Sequence, residues 1–230
     1  ELTEPTRYFS ILEAIAGGAT SRNEIAGTTG IEYNQLSMYL DRLSRLRLIE
    51  RHVPVTEKPE RSKRSQYRLR DPFFRFWFRF LYGSTDRYDQ FGENAYERLV
   101  EPEMADFIAP AFEALCCRSL WTLYDETPLV DVGQWWYQDH EIDVVGLTDA
   151  EALVVGECKY RSSRTGHDAL RSLESHVEEL RWTPPSGGSR HIEYALFSRA
   201  GFTESIRDTA AERGNVRLFE LKDIVDALRK

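Results

Sequence analysis

Two stretches decide the fold of the second half of the chain: EIDVVGL at residues 141–147 and ALVVGECKY at residues 152–160. Both are runs rich in Val and Leu, of strand length, and Thr148-Asp-Ala-Glu151 lies between them as a turn. Each carries charge where a buried strand should have none: Asp143 in the first, Glu157 and Lys159 in the second. Charges in apolar strands are costly unless they are paired or bind a metal. Strand side chains alternate, so Glu157 and Lys159 point to one face. Whether Asp143 joins them depends on register. If Leu147 pairs with Leu153 across a five-residue loop, Asp143 faces Glu157. A four-residue loop without a bulge sends it to the opposite face.

The pattern on either side predicts α-β-β-β-α-β followed by α-β-α. Helical signal runs from about 93 to 120, interrupted at Pro102 and Pro110, and its last piece carries Glu113. Strands follow at 130–138, 141–147 and 152–160, then a helix over 166–180. A strand at 192–198, a helix at 204–213, a strand at 216–219 and a terminal helix at 221–228 complete the chain. Residues 183–189 (TPPSGGS) read as a surface loop.

The first 82 residues read differently. Residues 6–16 place Tyr8, Ile11, Leu12 and Ile15 on one stripe, and Ser21-Arg-Asn-Glu24 fits a capping box. A third helix over 32–45 puts Leu36, Tyr39, Leu40, Leu43 and Leu46 inward, with Asn34, Gln35, Ser37, Arg42 and Arg45 on its other face. Strands at 48–55 and 66–69 flank a loop carrying Lys58, Arg61, Lys63 and Arg64. This order predicts a winged helix-turn-helix, with Asn34, Gln35, Arg42 and Arg45 toward a DNA groove and Lys63 and Arg64 toward phosphates. A protein-docking role for the same module stays open, since Glu32, Asp41, Glu57 and Glu60 dilute the basic face. The aromatic run 71–82 (DPFFRFWFRFLY) predicts a helix capped by Asp71 and covered on most sides.

Composition bounds the rest. The chain has 230 residues, 41% hydrophobic, which suggests one large or two small domains, divided here as 1–82 and 83–230. There is no apolar run of membrane-spanning length. Three cysteines, Cys116, Cys117 and Cys158, argue for a reducing cytoplasm. The first residue is Glu1 rather than Met, from which a longer parent protein is expected. Residues 1–90 carry 15 basic and 12 acidic side chains, net +3; residues 91–230 carry 15 and 26, net −11. Nucleic acid is therefore expected at the first half. Only five of the 30 basic residues are Lys, a composition compatible with a salt-loving host or a GC-rich genome.

Two converging carboxylates and an ammonium make a hydrolytic site. Asp143 and Glu157 would hold Mg²⁺ or Mn²⁺, with the backbone carbonyl of Cys158 as a third ligand. Lys159 would orient or deprotonate water or stabilise developing charge, and Glu113 would order outer-sphere water or a second ion. A structural Lys159 salt bridge stands beside this as the other reading of the same residues.

Asp143, Glu157-Cys-Lys159 and the helical Glu113, at those positions in the predicted elements, resemble the PD-(D/E)XK nuclease superfamily. The resemblance implies a restriction-endonuclease-like core with a mixed sheet, over about 105–200. It also implies Asp143 and Glu157 as metal ligands and Lys159 as the catalytic lysine. The proline of the family signature is absent; Glu141-Ile142 precedes Asp143. A second resemblance covers nearly the whole chain. Residues 5–12, 36–40, 48–51, 67–73, Phe76-Trp77 and 156–159 look like the C-terminal region of archaeal AAA-type ATPases. This implies a winged helix followed by a nuclease-like domain, with an ATPase domain upstream. No GxxxxGK[ST] sequence is present, so no ATP hydrolysis is expected here. The expected function is a DNA-binding, metal-dependent nuclease module. The alternative is a catalytically inactive DNA- or protein-binding module that regulates an attached ATPase.

Overall fold

The computed structural model describes residues 4–185 and 187–230. They form two compact units. One comprises residues up to Val53 together with Pro59–Glu103; the other comprises Pro54–Lys58 and Met104–Lys230.

The first unit begins with α1 (Pro5–Ala16), α2 (Arg22–Thr29) and α3 (Tyr33–Arg45), followed by the antiparallel ribbon β1 (Ile49–His52) and β2 (Gln66–Leu69). The helical stripes pack as their spacing dictates. Tyr8, Ile11, Leu12 and Ile15 meet Ile25, Leu36, Tyr39, Leu40 and Leu43, and Ile49, Tyr67 and Leu69 close the core from the ribbon. The capping box at α2 forms in full: Glu24 N donates to Ser21 Oγ at 3.3 Å, and Ser21 N donates to the Glu24 carboxylate at 2.8 Å. Leu46 departs from its expected place and is 51% exposed. It is the residue after α3, and the chain turns away at once through Arg47 with φ 60°.

The aromatic run also departs from a simple helical stripe. α4 (Pro72–Phe76) starts as expected, with Asp71 accepting from Phe73 N at 2.7 Å. It then widens into a π-turn over Trp77–Leu81, closed by Tyr82 N donating to Trp77 O at 2.8 Å. An i→i+5 turn breaks the 3.6-residue period. Phe78 and Phe80 are buried, while Phe73 is 64% exposed. Short helices α5 (Thr85–Phe91) and α6 (Ala95–Leu99) complete this unit, each followed by a 3₁₀ turn, Gly92–Asn94 and Glu101–Glu103.

The second unit is a mixed α/β layer structure. α7 (Met104–Leu123) leads into β3 (Leu129–Tyr137), β4 (His140–Thr148) and β5 (Ala152–Lys159), which pair antiparallel. α8 (His167–Glu179), β6 (His191–Ser198), α9 (Glu204–Arg213), β7 (Val216–Glu220) and α10 (Leu221–Leu228) follow, and β5, β6 and β7 pair parallel. The sheet order among the described residues is β3-β4-β5-β6-β7. Parallel neighbours require crossover connections, which α8 and α9 supply. Alternation along the strands feeds two cores. On one face Phe112, Cys116 and Leu120 of α7 and Ile224 of α10 pack on Val144, Val154, Cys158 and Phe197. On the other, Leu170, Leu173 and Val177 of α8 and Ile206 of α9 pack on Val145, Leu153, Val155 and Leu196. α7 runs through Pro110 rather than stopping there. Proline removes one helical N–H, and burial of Phe112, Cys116 and Leu120 in the core beyond it carries the helix onward.

Candidate active site

The register that decides the site is Leu147 opposite Leu153, with Gly146 opposite Val154, Val145 opposite Val155 and Val144 opposite Gly156. This is the five-residue-loop alternative. One step further along, Asp143 reaches the level of Glu157, and there the ladder stops. On its other side β4 carries a bulge. Two steps along β3, from Gly133 to Trp135, correspond to three steps along β4, from Val145 to Ile142. The extra residue falls at Asp143–Val144. Bulges re-aim side chains and end pairing, and here Val144 stays in the α7-side core while the Asp143 carboxylate turns into the opened ladder. Its Oδ2 accepts from Cys158 N at 2.8 Å, in the place of a strand–strand bond.

Around this carboxylate the other groups gather. Lys159 Nζ donates to Glu157 Oε1 in an ion pair whose carboxylate side chain is only 9% exposed and whose ammonium side chain is 30% exposed. Glu113 of α7 accepts from Gln134 Nε2 of β3 at 2.9 Å. Cys117 Sγ, one turn along α7 from Glu113, lies 3.4 Å from Asp143 O. Burial pushes the Asp143 carboxyl well above the usual carboxylate range. Repulsion from Glu157, Glu113 and Glu141 adds to this, against the Cys158 N–H bond, which favours the charged form. Burial works against the Lys159 charge, but the hydrogen bond and attraction from Glu157, with Asp143 adding to it, hold the ammonium above the ordinary lysine value. Burial also pushes the Cys158 thiol up, helped by its bond with Cys116, and the side chain packs in the α7-side core.

At the end of the β4–β5 ladder Asp143 is thus within electrostatic reach of both Glu157 and Glu113, and Lys159 is paired with Glu157. The Cys158 N–H faces the same gap. In a paired extended residue, N–H and C=O serve the same neighbour, so its carbonyl is oriented with it. Gln134 was not singled out by sequence. The available signal was an uncharged polar residue inside the otherwise aromatic and aliphatic end of β3, but nothing in the pattern tied it to Glu113. Among the described residues no group of three or more His, Cys, Asp or Glu side chains is placed to hold a metal ion.

The residues expected to meet nucleic acid lie in the first unit. Asn34, Gln35, Arg42 and Arg45 are exposed on α3, Lys63 is exposed in the β1–β2 loop, and Arg64 is half-buried there. Gln35 Oε1 accepts from Arg7 Nη1 at 3.3 Å. Arg51 braces the base of the loop through Ser65 Oγ at 2.7 Å and Ser62 O at 3.1 Å.

The second unit is thus a mixed α/β layer carrying a half-buried acid–lysine cluster where two strands part. Residues 77–170, which include that cluster, match the family DUF234, described as archaea bacterial proteins of unknown function. The chain is 31% identical to an uncharacterized protein of Methanocaldococcus jannaschii. The match covers 97% of this chain and 49% of the relative, so the chain spans about half the length of that protein. Among solved structures, protein VC1899 of Vibrio cholerae aligns over 99% of this chain and 56% of its own, at 14% identity and a TM-score of 0.39. An O-methyltransferase of neocarzinostatin biosynthesis aligns over 94% and 64%, at 14% identity and a TM-score of 0.25. Among the described residues no helix is long and apolar enough to cross a membrane.

Proposed function

We propose that the second unit is a metal-dependent phosphodiesterase of the PD-(D/E)XK kind and that the first is a winged helix-turn-helix that brings it to DNA. The observation that carries the reading is the Leu147–Leu153 register with the β4 bulge, which sets Asp143 beside the Glu157–Lys159 pair. The donor set fits an oxygen-seeking divalent ion: two carboxylates, a carbonyl at the parted ladder, and an acid cluster whose mutual repulsion a cation relieves. Asp143, Glu157 and the Cys158 carbonyl would hold Mg²⁺ or Mn²⁺, which would supply Lewis acidity and an activated water.

The remaining roles belong to the chain. Lys159, paired with Glu157, would orient the attacking water or stabilise charge on the phosphate oxygens. Glu113 lies near enough to raise the Asp143 carboxyl, and Gln134 fixes one of its oxygens. The basic character of residues 1–90 supplies the phosphate attraction that the net −11 of the remainder lacks. That an ATPase domain accompanies these units in the parent protein is part of the same proposal and rests on the sequence resemblance.

Plasmid and branched DNA incubated with Mn²⁺ should be cut. Glu157→Ala and Lys159→Ala should each slow cutting by about 10²-fold or more. Cleavage unchanged by both substitutions excludes this site. Absence of any cutting, with Mn²⁺ failing to raise the melting temperature, favours the non-catalytic regulatory module.

A further inference from the structure

Two histidines that the acid cluster does not use stand side by side. His140 opens β4 and His176 sits near the end of α8. Their Nδ1 atoms are 3.3 Å apart, with ring centroids at 5.3 Å and planes at 77°. Ser172, one helical turn before His176, places Oγ 3.3 Å from His176 Nε2. Both residues are half-buried.

We propose that His140 and His176 form a chelate for a borderline divalent cation of the Zn²⁺, Ni²⁺ or Cu²⁺ class, completed by water. The spacing fits: two metal–nitrogen bonds of about 2.05 Å at the tetrahedral angle span about 3.3 Å. Ligating histidines commonly hand their other ring proton to a fixed acceptor. Ser172 Oγ can take the Nε2 proton of His176 and leave its Nδ1 lone pair free. Without metal the two Nδ1 atoms share one proton, carried by one ring and accepted by the other. With metal that proton moves to the Nε2 of its own ring, and both Nδ1 atoms become donors at no change in net charge. Imidazole pairs prefer these ions to Mg²⁺ or Mn²⁺, which seek oxygen, so this site and the acid cluster are separable by ion. Bound metal would tie the start of β4 to α8.

The test is calorimetric titration of the whole chain with Zn²⁺ in a non-chelating buffer, beside the copper electron-paramagnetic-resonance spectrum. One equivalent should bind wild type and Asp143→Asn alike. Affinity should fall by at least about tenfold in His140→Ala and His176→Ala, and less in Ser172→Ala. The Cu²⁺ spectrum should carry coupling to two nitrogens. Zn²⁺ affinity unchanged in both histidine variants overturns the proposal, leaving a structural N–H···N bond. Loss in Asp143→Asn alone overturns it by moving the ion to the acids. Should a histidine variant fail to fold, a wild-type copper spectrum without two-nitrogen coupling overturns the proposal by itself. Because the acid cluster is tested with Mn²⁺ and DNA, either idea can fail alone.

Discussion

At the scale of single residues, Asp143 is held in a place that opposes its own charge. The folded chain keeps its proton more tightly than the unfolded chain does. Stability therefore falls as pH rises from the ordinary carboxylate value through the folded-state value, and the whole penalty is present above it. Asp143→Asn keeps an acceptor for Cys158 N and removes the penalty. Without added metal it should stabilise the protein by about 1–3 kcal/mol at neutral pH. The gain should fade toward pH 4, as thermal melts across that range would read. A gain that grows as pH falls would contradict the assignment. Lys159 behaves oppositely. Lys159→Met strands the Glu157 carboxylate at 9% exposure and should destabilise by about 2–3 kcal/mol, less than for a fully buried pair because the ammonium is partly solvated. Adding Glu157→Gln should recover most of that loss in urea titrations, since a neutral amide needs no cation.

At the scale of elements, the meeting of β4 and β5 is made possible by Gly156. A Cβ there would lie 3.0 Å from a Phe197 ring carbon, 3.1 Å from Val144 Cβ and 3.1 Å from the carbonyl of Ala195. The carbonyl belongs to the paired strand β6 and cannot yield. Gly156→Ala should cost about 1–3 kcal/mol and disturb the neighbouring Glu157, so the denaturation midpoint should drop together with any Mn²⁺-dependent stabilisation. Gly146 makes the useful contrast. Its closest contacts are the ends of the Leu120 and Leu129 side chains, which can turn aside, so Gly146→Ala should cost less than Gly156→Ala in the same titration.

At the scale of the whole molecule, charge divides along the chain, with net +3 over residues 1–90 and −11 over the rest. If DNA binds through α3, affinity must fall with salt. Replacing Arg42 and Arg45 by Ala should weaken binding of duplex DNA and flatten the plot of log affinity against log salt by about 0.9 for each phosphate left without its cation. An unaltered slope in fluorescence anisotropy would mean that neither arginine meets a phosphate. The two compact units give separate places to look. Arg42→Ala and Arg45→Ala should leave Mn²⁺-dependent stabilisation of the second unit intact, whereas Glu157→Ala should remove it and leave DNA affinity unchanged.

Much of this was legible in the residues. The apolar spacing of Tyr8, Ile11, Leu12 and Ile15, the Ser21–Glu24 box and the Val-rich runs of β4 and β5 are local signals, and local backbone preference and burial sufficed to read them. The order of helices and strands through residues 104–228 followed from the same periodicities. What sequence left open was whatever depends on three dimensions. The choice between two registers for Asp143 was settled by the β4–β5 ladder and the bulge against β3, because a one-residue slip reverses a strand's faces while leaving its pattern unchanged. The continuation of α7 through Pro110, the π-turn after Phe76, the Gln134–Glu113 bond and the approach of His140 to His176 likewise arose from packing between segments distant in the chain. Periodicity reports which face a residue occupies; only the assembled layers decide what stands opposite it.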